Sequence, residues 1–126
     1  MIASFDIDGV IYMGVGMPGL RPGPHDIIIT GRSFEERPET ERMLLSRGIC
    51  NPVFYNALPF DRKRRESSGE HKADVLNKLY QTMMVIPKIH FEDDEVQAKI
   101  IEERCPWIKV VRIVHELVNK ENVRHT

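Results

Sequence analysis

Short apolar runs alternate along this chain with segments whose apolar residues recur three and four positions apart. Residues 2–6 form a brief apolar stretch ending in acid at Asp6, a first strand. Five glycines and three prolines between positions 9 and 24 exclude a regular helix there. Residues 26–30 (Asp-Ile-Ile-Ile-Thr) read as a strand buried on both faces, which Gly31-Arg32-Ser33 is expected to break. Ser33 and Glu36 are spaced as a capping box, and Pro38 offers an equally good helix start. Met43, Leu44 and Leu45 give that helix its apolar side, and Gly48 stands just past its end. Residues 52–56 are a third strand candidate, and 59–72 are polar. From about His71 the spacing of Val75, Leu76, Leu79 and Tyr80 is helical. Residues 88–91 predict a fourth strand, Val96, Ile100 and Ile101 another amphipathic helix, and 108–114 a fifth strand before a short polar tail.

The order β-loop-β-α-β-α-β-α-β predicts one α/β domain over residues 1–126. The expected architecture is a Rossmann-like three-layer α/β/α sandwich, with a mainly parallel sheet and helices on both faces. A length of 126 residues suits one domain, and 41% hydrophobic with 29% charged residues supports a packed core. Eighteen Lys and Arg against nineteen Asp and Glu leave a net charge of −1, which excludes a globally basic nucleic-acid coat. Polyanion binding would need a local patch. No apolar run approaches the ~20 residues that cross a bilayer, so no membrane partner is expected. The N-terminus lacks a basic region followed by an apolar stretch, so no signal peptide is expected. Cys50 and Cys105 have no metal-site spacing and suit a reducing compartment, which gives a cytoplasmic expectation.

Asp6 and Asp8 close the first strand, and Asp93 and Asp94 close the fourth. In an open parallel sheet, ligands bind beyond the carboxyl ends of the strands, near a switch in strand order. If strands one and four adjoin, four carboxylates meet and repel one another. A hard divalent cation relieves that repulsion, and Mg2+ favours carboxylates, water and phosphate oxygens. Asp is also a common turn former, which accounts for either pair taken singly. Both pairs together, with Thr30 and Lys72 between them, favour a site.

Asp6-Ile7-Asp8-Gly9-Val10 has the form DxDGV after an apolar strand, and Ile27-Ile28-Ile29-Thr30-Gly31-Arg32 is an apolar strand ending in Thr. Lys72 opens a helix, and Asp93-Asp94 follows a strand. Over residues 2 to about 103, these four ordered motifs resemble those of the haloacid dehalogenase (HAD) superfamily of phosphotransferases. The resemblance implies that Asp6 is a nucleophile forming an aspartyl-phosphate and that Asp8 is the general acid and base. It implies that the Thr30 hydroxyl and the Gly31 amide bind a phosphoryl oxygen, with Arg32 on the substrate side, and that Lys72 neutralises charge. Mg2+ would be held by Asp6, the Asp8 backbone carbonyl and one acid of the last pair. Asp94 is preferred, with Asp93 holding Lys72 or a metal-bound water. Glu92 and Glu95 flank that pair, so its register is open. Lys63 is the second candidate for the role of Lys72. The five histidines show no ligand spacing and receive no role.

Members acting on small metabolites usually carry an inserted cap domain. The 21 residues between Asp8 and Thr30, and the segment from Thr30 to Lys72, leave no room for one. An open site suits a nucleic-acid end or a protein as substrate. The run Asp61-Arg62-Lys63-Arg64-Arg65 follows the third strand and emerges near the acids if that strand is parallel. Its four cations would grip neighbouring phosphates of a polynucleotide; a solvated basic loop is the plain alternative. Residues 54–79, together with Asp93-Asp94 and Val96-Gln97, are similar to the phosphatase domain of phage-type polynucleotide kinase/phosphatases. That domain removes 3′-phosphates from nucleic-acid ends. Val10 is also seen in a nucleotide-phosphatase branch, and no P-loop pattern is present. The expectation is a capless, Mg2+-dependent phosphomonoesterase acting on a nucleotide or a nucleic-acid 3′-phosphate, its oligomeric state open. The alternatives are a small-metabolite phosphatase completed by oligomerisation and a catalytically idle HAD-fold binding module.

Overall fold

The computed structural model describes residues 1–116. The polar tail beyond Glu116, and with it His125, lies outside the described residues. The elements run β1 (Ala3–Phe5), β2 (Ile27–Ser33), a 3-10 turn (Phe34–Glu36), α1 (Arg37–Ser46) and β3 (Val53–Asn56). A second 3-10 turn (Phe60–Arg62) leads into α2 (Arg65–Thr82), β4 (Ile89–Glu92), α3 (Glu95–Arg104) and β5 (Lys109–Arg112). The five strands form one parallel sheet in the order β3-β2-β1-β4-β5, a Rossmann-like α/β arrangement. No described helix is long and apolar enough to cross a membrane.

Strand alternation divides the core into two layers. Phe5, Ile28, Leu44 and Ile49 pack on one side with Ile7, Val10 and Ile11 from the loop after β1. Ile27 and Ile29 pack on the other side against Ala73 and Leu76 of α2 and Ile101 of α3. The strands are nearly continuous in apolar residues because both faces are covered.

Two boundaries differ from expectation. Gly31-Arg32-Ser33 does not end β2, because the ladder to β3 resumes at Ser33↔Asn56 after an irregularity. Helix α2 starts at Arg65, six residues before His71. Its first two turns bury Ser68, Gly69 and Lys72 instead of large apolar groups, so they carry no hydrophobic period. The polar residues of 65–71 thus read as loop in sequence but fold as helix.

The connection from β1 to β2 is a wrapped loop with no inserted domain. The amides of Val10, Ile11 and Tyr12 converge on the Ile7 carbonyl (3.1, 2.9 and 2.8 Å), tightening the turn that carries Asp8. Further on, Arg47, just past the end of α1, donates to the carbonyls of Ile11, Gly14 and Met17 at 3.1–3.2 Å.

Candidate active site

β1 and β4 are neighbours, in the register Ser4↔His90 and Phe5↔Phe91. Continuing that register sets Asp6 beside Glu92, and the Asp6 amide still donates to the Phe91 carbonyl (3.1 Å). Alternation turns Phe5 and Phe91 to one side, where their rings stack at 4.8 Å. Ser4, Asp6, His90 and Glu92 therefore share the α2 side. Lys72, fully buried, arrives from α2 and bridges Asp6 Oδ1 (3.0 Å) and Glu92 Oε1 (2.7 Å). Asp6 Oδ1 also accepts the Ile7 amide (2.9 Å), which fixes the orientation of the carboxylate. Behind Glu92, the His90 ring links Ser4 Oγ, 2.7 Å from Nδ1, to the Glu92 carboxylate, 3.3 Å from Nε2.

Asp6, Glu92 and Asp93 each offer a carboxylate oxygen, all within 4.8 Å of one another and all buried. Lys72 balances one of these three charges. An all-oxygen, carboxylate-rich donor set at the carboxyl ends of parallel strands fits a hard divalent ion such as Mg2+.

Here the arrangement departs from the preferred register. Asp94 lies outside the trio: its Oδ2 accepts the Gln97 amide (3.0 Å) as the N-cap of α3, and its Oδ1 takes Arg65 Nε and Nη2 (2.9 and 2.7 Å). Asp93, expected to hold Lys72, joins the trio, and Glu92 takes Lys72 instead. The acids that converge are Glu92-Asp93, one position earlier than Asp93-Asp94. The phase of Ile89-His90-Phe91-Glu92 carries that signal, since Glu92 must share a face with His90.

Asp8 also stands outside the trio. Arg32 clasps it with two bonds, Nε–Oδ2 at 3.0 Å and Nη2–Oδ1 at 2.7 Å, and reaches Thr40 with Nη1 (3.1 Å). Burial works to lower the Arg32 pKa, but the hydrogen bond and charge of Asp8 outweigh it and hold the guanidinium above its usual value. Thr30 is buried, and its hydroxyl accepts the Arg32 amide (3.0 Å). Gly31 lets α2 come close: a Cβ there would fall 2.8 Å from Ser68 Oγ.

The basic run does not present four cations to solvent. Lys63 is buried and pairs with Glu36 (2.6 Å), which removes it as a substitute for Lys72. Burial pushes the Lys63 pKa down, against the raising effect of Glu36. Arg65 is spent on Asp94, leaving Arg62 and Arg64 as the exposed members. A cleft of about 530 Å3 beside β3, bounded by Phe34, Leu44, Ile49, Phe54, Tyr55 and Val75 among others, is lined by none of Asp6, Asp8, Glu92, Asp93 and Asp94.

Comparison with protein-family models, with curated proteins and with solved structures matches this chain to none of them.

Proposed function

We propose that this chain is a capless, Mg2+-dependent phosphomonoester hydrolase of the HAD type. The observation that carries the reading is Lys72, buried between Asp6 and Glu92, with Asp93 completing a carboxylate trio where the strand order reverses. Asp6, Glu92 and Asp93 would hold the ion. When bound, Mg2+ neutralises and orients the phosphoryl group.

The Asp6 carboxylate attacks phosphorus as the bond to the leaving oxygen breaks, giving an aspartyl-phosphate. Lys72 holds Asp6 in place and offsets the charge that gathers there. Asp8 gives its proton to the leaving oxygen, then takes one from the water that attacks phosphorus, so phosphate leaves and Asp6 is restored. At rest Arg32 holds the Asp8 carboxylate. An incoming phosphate dianion competes for that guanidinium and frees the Asp8 carboxylate to take up a proton from solvent, the proton it then gives to the leaving oxygen. Thr30 and Gly31 lie on the same strand as Arg32, where they would receive phosphoryl oxygens. The absence of an inserted domain among the described residues, with Arg62 and Arg64 exposed, favours a nucleotide or a nucleic-acid 3′-phosphate as substrate.

With Mg2+, the protein is expected to release phosphate from p-nitrophenyl phosphate and from a 3′-phosphorylated oligonucleotide, and EDTA to stop both. Asp6→Asn should lower turnover by roughly 10³-fold or more with the far-UV spectrum unchanged. No Mg2+-dependent turnover on either substrate overturns the reading in favour of an idle binding module.

A further inference from the structure

His115 stands outside every motif, yet its ring lies at the acid trio. The ladder between β4 and β5 continues past β5, since the Ile113 amide donates to the Glu92 carbonyl (2.9 Å). That bond keeps the following residues beside the end of β4. Arg112 Nε donates to the backbone carbonyl of Asp93 (2.9 Å), and His115 Nε2 donates to its Oδ2 (2.9 Å). The segment leaving β5 thus holds both the main chain and the carboxylate of one residue.

Gly9 closes the other side. A Cβ at this position would lie 1.8 Å from Asp93 Oδ2 and 2.5 Å from His115 Nε2, and its φ of +84° also favours glycine. The Asp93–His115 pair is therefore packed against the backbone next to Asp8. The side chains of both partners are below 10% exposed.

A carboxylate can turn about its Cβ–Cγ bond and offer either oxygen to an ion. A hydrogen bond to one oxygen selects the other and its angle of approach. Such outer partners change metal affinity or activity by about 10–100-fold. We propose that His115 is a positioning residue, fixing the Asp93 carboxylate at the orientation in which Asp6, Glu92 and Asp93 converge on a divalent cation. The inference rests on the reading that this trio takes such an ion. It adds a residue 22 positions from Asp93, outside the four motifs.

The test is Mn2+ binding to the full chain without substrate, followed by electron paramagnetic resonance of the free ion. His115→Ala should weaken binding about 10–100-fold. His115→Gln, whose amide nitrogen reaches as far as Nε2, should recover most of it. His115→Asn, of the same polarity but shorter, should stay weak. If the Ala variant does not fold, the Gln and Asn pair decides: tight and weak supports positioning, equal affinity overturns it. Wild-type binding with unchanged affinity in His115→Ala overturns the role of His115 alone. No Mn2+ binding by the wild type removes the ion, and this role with it.

Discussion

His71 precedes Lys72 on α2, with its ring against the backbone carbonyls of Thr30 and Phe54. Burial first, and the charge of Lys72 second, push its pKa down to about 4. Its Nε2 is buried without a hydrogen-bond partner. Between pH 6.5 and 4 the unfolded chain binds a proton at this residue that the folded chain does not. Stability from this source is therefore present above pH 6.5 and is lost as pH falls toward 4, by roughly 3 kcal/mol at most. Urea midpoints measured across that window should fall more steeply for the wild type than for His71→Asn. Parallel curves would show that the ring takes up its proton as readily in the fold as out of it. Asp6 and Asp8 were legible at this scale because acid after an apolar strand is a local pattern. His71 and His115 were not, because their partners lie on other elements.

One ion pair joins the first 3-10 turn to the residue just after the second. Glu36 Oε2 receives Lys63 Nζ (2.6 Å), the Ser33 amide (2.8 Å) and the Ser33 hydroxyl (3.2 Å). The end of β2, the start of α1 and the approach to α2 are thereby joined beside Arg32 and Asp8. Lys63→Met leaves Glu36 buried without its cation and should cost about 3 kcal/mol in urea unfolding. Adding Glu36→Gln should return part of that loss, and strictly additive losses would show that the two side chains are energetically independent. From sequence alone the spacing of Ser33 and Glu36 announced the cap, and the Glu36 side chain does reach back to the Ser33 amide. The third partner was hidden: Lys63 sits in a basic run that reads as solvated, and only the fold turns it inward. The early start of α2 was hidden for a related reason, since its inward face is Ser, Gly and Lys.

Across the whole molecule, five strand candidates became five parallel strands, and the chain crosses from β3 to β4 on the far side of β1. That reversal was legible only as an expectation, because β-branched runs locate strands without ordering them. The acids reach one point because both β1 and β4 end there. The exposed cations Arg62 and Arg64 lie beyond the end of β3 in the same parallel sheet. Replacing both with Ala should raise KM for a 3′-phosphorylated oligonucleotide more than for p-nitrophenyl phosphate. It should also reduce the salt dependence of oligonucleotide binding by about two in log–log slope. Equal losses on both substrates would reject docking through these residues.

Arg47 gives the molecule an unusual seam. One guanidinium spans carbonyls of Ile11, Gly14 and Met17, so the strap between the first two strands is sewn to the residue that caps the end of α1. A protease cut at Val15, an exposed residue of that strap, would sever the backbone without releasing either end from the stitch. The piece bearing Asp6 and Asp8 would stay in register with the remainder, which makes the strap a natural place to divide this chain into two complementing fragments.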